Sequence, residues 1–180
     1  ASFTLTVNPL PTINAGTGGT ICAGNNIQLN ASSTSQTNGT LSTTFAGGNG
    51  CGAGNMFDLV AGTAPVTVNG FSLNPSVTGA QTVNVYYRVG THVGNTTNIA
   101  AWTLLGAYTL NGTAATASYM ATGNIVIPAG ATYGIYVQYN ANYTDGNGTN
   151  QTYSNANLTL NAGVGHCTGF DGCCAPRVFN

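Results

Sequence analysis

Lysine and glutamate do not occur in this chain of 180 residues, and charged side chains are confined to Arg88, Arg177, Asp58, Asp145 and Asp171. They make up 3% of the sequence, where soluble domains carry roughly 25%. Phosphate backbones are held by clustered Lys and Arg, so nucleic acid is excluded as a partner. Glycoside hydrolysis normally takes two carboxylates at a set separation, and three aspartates offer few such pairs. No run of 18 or more apolar residues occurs, so no membrane-spanning helix is expected. No helical period of useful length is found either. A net charge of −1 gives copies of the chain little mutual repulsion. Without Lys or Glu, strand edges also lack the charges that usually block edge-to-edge pairing. The composition therefore predicts a surface that is either coated or made to assemble.

The polar residues present are Asn, Thr, Ser and Gln, set among many Gly and alternating apolar runs. In Gln81–Val89, Val83, Val85, Tyr87 and Val89 face one way and Asn84, Tyr86 and Arg88 the other. Ala101–Leu110 repeats the pattern with Trp102, Leu104, Tyr108 and Leu110 on one face. Period-two alternation rich in β-branched and aromatic residues predicts half-buried antiparallel strands. Further strands are expected at Leu41–Phe45, Met56–Val60, Pro65–Leu73, Ala115–Tyr119, Asn124–Pro128, Thr132–Tyr139, Ser154–Leu160 and the tail Pro176–Asn180. Many short strands separated by turn residues indicate an all-β fold, a jelly-roll or Ig-like antiparallel β-sandwich.

Residues 1–12 are expected to form an N-terminal extension strand and proline linker. Phe3, Leu5 and Val7 alternate with Ser2, Thr4 and Thr6, and Pro9 and Pro11 then interrupt any ladder. A lone strand leaves its backbone unpaired, so it must pair with its own domain, a preceding domain or a neighbouring molecule. Residues 13–40 contain two short expected strands, Thr20–Cys22 and Asn26–Asn30, then a loop. Residues 41–180 are expected to be the sandwich. A start at Ala1 with no charged-then-apolar leader predicts a processed chain or a piece of a longer one.

Thr4–Gly16 (TLTVNPLPTINAG), Thr20–Gly24 and Ile27–Leu29 resemble the junction between Ig-like or PKD-like repeats of Bacteroidota adhesins, although this part is too short for a whole Ig-like domain. Thr43–Gly50, Gly54–Asp58, Val85–Arg88, Ala101–Gly106, Ile127–Gly134, Tyr143–Gly146 and Pro176–Asn180 resemble a second β-sandwich module of bacterial surface proteins. The resemblance implies a cell-surface adhesin, typically cargo of type IX secretion. The motifs it rests on are structural and name no activity.

Several residues were weighed for chemistry. His92 and His166 stand in no recognisable nucleophile–base spacing with Asp58, Asp145 or Asp171. No enzyme and no cofactor are expected. Asp145–Gln151 has oxygen-bearing residues at alternate positions, but Ala156 stands where a calcium loop needs Glu, so a turn is predicted and no metal. The spacing of Cys22, Cys51, Cys167, Cys173 and Cys174 does not suit zinc. Two disulfides are expected among Cys51, Cys167, Cys173 and Cys174, with Cys22 a buried thiol or a link to another chain, which fits an oxidising, extracellular setting. Sequons occur at Asn30, Asn38, Asn95, Asn111, Asn142, Asn147, Asn150 and Asn157, mostly in expected loops where sugar is accommodated; O-linked sugar on Ser or Thr is equally open. Tyr86, Tyr108, Tyr119, Tyr133, Tyr136, Tyr139, Tyr143 and Tyr153 serve either as strand packing or, where exposed, as stacking surfaces for sugar rings.

Two functions follow as expectations. The first is a structural subunit of an extracellular filament. Such a subunit polymerises with copies of itself by donating the strand that carries Phe3, Leu5 and Val7, beneath a possible glycan coat. The alternative is a non-enzymatic adhesin module that binds polysaccharide.

Overall fold

The computed structural model describes residues 38–45 and 52–171 in full. Outside them it describes the backbone of Leu5–Asn8, Ile13–Asn14, Ser32–Ser33, Asn49–Gly50 and Cys174–Phe179. In chain order the strands are β1 (Leu5–Asn8), β2 (Ile13–Asn14), β3 (Ser32–Ser33), β4 (Gly39–Leu41), β5 (Asn49–Gly50), β6 (Asn55–Ala61), β7 (Val66–Leu73) and β8 (Gly79–Val89). They continue with β9 (Thr103–Gly112), β10 (Ser118–Ile127), β11 (Thr132–Gln138), β12 (Asn142–Asp145), β13 (Thr152–Ser154), β14 (Leu158–Gly165) and β15 (Cys174–Phe179). Helix among the described residues is limited to one 3-10 turn, Ile99–Ala101.

Apart from β2 and β3, which pair with each other, these strands form two packed antiparallel sheets, the expected all-β sandwich. The smaller runs β10-β7-β1-β4; the larger runs β5-β12-β15-β14-β6-β11-β8-β9, with β13 paired to β14. Phe57, Leu59, Val83, Val85, Ile135, Val137 and Leu160 of the larger sheet meet Val66, Val68, Phe71, Leu73, Met120, Ile125 and Ile127 of the smaller in one core. Across the interface the rings of Phe57 and Phe71 make an edge contact at 6.4 Å, a favoured aromatic geometry.

The leading strand lies inside the smaller sheet. β1 pairs antiparallel with β4 on one side, Leu5 opposite Leu41, and with β7 on the other, Val7 opposite Val68. Of the pairings open to this N-terminal strand, with its own domain, a preceding one or a neighbouring molecule, the chain takes the first, as an inner strand. β4 and β1 thus carry residues 5–8 and 39–41 into the same sheet as the rest, across the expected boundaries at 12 and 40. Phe3 and the expected strands Thr20–Cys22 and Asn26–Asn30 lie outside the described residues.

Three other expectations are revised. Ser118 and Tyr119 of one expected strand and Asn124–Ile127 of the next belong to a single strand, β10, with an irregularity between Ala121 and Ile125, while Ala115–Ala117 precede it outside any strand. The expected strand Ser154–Leu160 is split by a turn at residues 155–157 between β13 and β14, where Asn155 Oδ1 accepts hydrogen bonds from the amides of Asn157 and Leu158, both at 2.9 Å. In β9, the register shifts opposite Val85–Tyr86, so that Leu104 pairs with Tyr86 while Gly106 pairs with Val85. One extra residue reverses the facing of everything before it. Leu104 is therefore 52% exposed and Trp102 leaves the core face, and Val89 at the end of β8 is 70% exposed.

Candidate functional site

β6 is buried on both faces, with Met56 and Asp58 buried on one as Phe57 and Leu59 are on the other. A strand reads this way only when something covers its second face. Here the cover is two loops, residues 90–102 and 166–171, which carry His92, Asn95, His166, Cys167 and Asp171. The rings of Trp102, Tyr136, Phe170 and Tyr86 pack around Met56, with Tyr86 stacked on Tyr136 at 5.8 Å and Phe170 edge-on to Tyr136 at 5.0 Å.

Each loop is fastened by a His–Asp pair. Asp58 Oδ1 accepts from the His92 amide at 2.8 Å and lies 2.8 Å from His92 Nδ1, while Asp58 Oδ2 accepts from the Thr91 hydroxyl at 2.5 Å. Burial pushes the Asp58 carboxyl up. The bonds from the His92 ring, the Thr91 hydroxyl and the His92 amide outweigh it and hold the carboxyl below its usual range. Trp102 Nε1 donates to Asn95 O at 2.9 Å, closing the same loop. In the second loop, Asp171 accepts from the amides of Cys167 and Thr168 and from the Thr168 hydroxyl, and sits 3.1 Å from His166 Nδ1. The Tyr136 hydroxyl shares its proton between the carbonyls of Ala53 at 2.6 Å and Gly169 at 3.0 Å.

Sequence spacing gave no sign of the first pair, because 34 residues separate Asp58 from His92 and only the sheet brings them together, whereas His166 and Asp171 stand five residues apart. The pairs do not compose a nucleophile–base arrangement. Thr91, the hydroxyl beside Asp58, donates to the carboxylate, and the far nitrogen of His92 packs against Gly163, where an added Cβ would lie 2.5 Å from it. Their chemistry is that of latches.

Around Asp145 the oxygens are turned inward. Asn147 Oδ1 accepts from the Thr149 amide and hydroxyl and the Asn150 amide, and Asn150 Nδ2 donates to Asp145 O. The loop is the expected turn. Cys167 is disulfide-bonded; the side chains of Cys22, Cys51, Cys173 and Cys174 lie outside the described residues, as does Asn30.

The other sequons divide by the state of their amide nitrogen. Asn142 Nδ2 donates to Pro75 O at 3.0 Å, Asn95 Nδ2 to Val93 O at 3.1 Å and Asn150 Nδ2 to Asp145 O at 3.0 Å. Asn38, Asn111 and Asn147 are exposed, and Asn157 is half-buried. Of the tyrosines, Tyr136, Tyr139 and Tyr143 are buried, Tyr86, Tyr108, Tyr133 and Tyr153 half-buried, and Tyr119 exposed.

Concave surfaces among the described residues include these two. One is a recess of about 230 Å³ on the larger sheet, lined by Gly52, Ala53, Thr82, Asn84, Gln138, Tyr139 and Asn140. The other is a cleft of about 250 Å³ between the sheets, lined by Tyr87, Leu105, Asn124, Ile125, Val126 and Tyr133. Neither contains a charged residue. Comparison of the chain with protein-family models, with characterised proteins and with solved structures returned no match.

Proposed function

We propose that this chain is a non-enzymatic module of an extracellular surface protein that holds polysaccharide. One observation carries the choice over the filament reading: β1 is paired on both sides within its own sheet, so lending it to a neighbour would open the sandwich between β7 and β4. Two charge-free concave surfaces, one rich in amides and one in aromatics, suit a ligand made of hydroxyl groups. An extracellular setting is supported by the disulfide at Cys167.

A filament built by strand donation is the second reading. In its favour, β1 fills a slot between two strands, and a neighbour's residues 5–8 would fit that slot in the same register, as in domain swapping. Deleting residues 1–10 separates the two. For the module, the full chain sediments as a monomer at all concentrations, and the deletion loses its cooperative unfolding transition. Concentration-dependent polymers from the full chain, abolished by the deletion and restored by a peptide of residues 1–10, would establish the filament instead.

A further inference from the structure

We infer that the cleft between β8, β11 and β10 binds a single uncharged pyranose unit, an assignment that rests on the polysaccharide-holding reading and gives it a place.

The hydroxyls of Tyr87 and Tyr133, both lining this cleft, have no protein partner; among the other half-buried tyrosines the same holds for Tyr86. Those of Tyr108, Tyr136, Tyr139, Tyr143 and Tyr153 all bond to the protein. Tyr87 and Tyr133 are as enclosed as Tyr108, packed against the same core, yet neither hydroxyl hydrogen-bonds to any protein group, and the Asn124 carboxamide at the rim bonds to none either. These groups reach solvent and are open to a ligand. Two phenols and one carboxamide together donate and accept, which matches the hydroxyls of a sugar.

The apolar part of the cleft points to the same ligand class. The Tyr87 and Tyr133 rings are 8° from parallel with centroids 6.2 Å apart. A sugar between them would need two van der Waals layers, about 7–8 Å in all, so it lies against the rings and not between them, with Leu105 and Val126 alongside. Drug-sized ligands occupy about 300–1,000 Å³, and 250 Å³ accommodates one ring of a chain that continues into solvent.

Charge then selects among sugars. The lining is neutral, and the one nearby cation, Arg88, follows Tyr87 on the opposite face of β8, where its Nη1 bonds Thr91 O. A uronate or sulfate would find no counter-charge in the cleft.

The test titrates the full chain with the neutral polymers dextran, laminarin and galactomannan and with anionic alginate, by calorimetry. Tyr87→Phe/Tyr133→Phe keeps both rings and removes both hydroxyls, Asn124→Ala removes the carboxamide, and melting curves confirm that each variant is folded. The expected result is binding of at least one neutral polymer, weakened roughly tenfold by the double variant without a change in melting. Full-strength binding of a neutral polymer by both variants would overturn the cleft as the site while leaving the module reading intact. Binding of alginate alone would overturn the neutral class. Binding of none of the four would remove both the cleft and the module reading.

Discussion

His92 Nδ1 lies 2.8 Å from Asp58 Oδ1, and the pair ties the loop of residues 90–102 to the centre of the larger sheet. The Asp58 carboxylate also receives the Thr91 hydroxyl and the His92 amide. Three fasteners therefore depend on one buried charge, in a chain with few charges to spend.

Asp58→Asn is expected to cost about 2 kcal/mol at pH 7, the usual worth of hydrogen bonds to a charged group. The pH dependence has a definite sign. Because the folded carboxyl titrates below its unfolded value of 3.8, its contribution is present above that value and is lost as pH falls through the folded one. His166 adds a step at higher pH. Burial lowers its affinity for a proton, against the opposing bond and charge of Asp171. Its contribution is thus present above 6.5, the unfolded value, and is lost as pH falls through the lowered folded one. Urea unfolding at pH 7, 5 and 3 measures both; in Asp58→Asn the loss at pH 3 relative to pH 5 should shrink.

Two glycines hold backbone that nothing else fits. An added Cβ at Gly54, which has φ +83°, would lie 1.9 Å from Val137 O; at Gly163 it would lie 2.2 Å from Met56 O. Both obstacles are main chain in the sheet centre and cannot turn aside. Gly54→Ala and Gly163→Ala should each cost at least about 3 kcal/mol. Gly39→Ala meets nothing within 4 Å and should stay within about 0.5 kcal/mol of the parent. Thermal melts of the three variants give the ranking, and an intact Gly163→Ala protein would show that the His92 loop packs elsewhere.

If native material carries N-linked sugar, occupancy should follow the state of each amide nitrogen. Asn38, Asn111 and Asn147 are exposed, with Nδ2 unbonded, whereas Asn142 would forfeit its bonds to Asn74 and Pro75. Peptide mapping by mass spectrometry should find sugar at the first group and none at Asn142. A glycan on Asn142 would mean that modification precedes folding.

Much of the architecture was legible in the sequence. Period-two alternation identified β7, β8 and β11 nearly to the residue, because a strand with one face on the core must alternate. The lack of a helical period was equally plain, and helix among the described residues is one 3-10 turn. Alternation failed at Trp102 and Leu104, since a one-residue bulge opposite Val85–Tyr86 leaves no mark in composition. It also could not choose a partner for β1: its apolar pattern suits any open strand edge, and only the sheet shows β4 and β7 taking it up.

Long-range pairing alone decided the rest. Asp58 with His92, Tyr136 with Ala53 and Gly169, and Tyr87 with Tyr133 are each joined across strands far apart in the chain. Local sequence sets which way a side chain faces along its strand. Which strand lies beside it is a property of the packed sheets, where register and burial are settled together by the core they enclose.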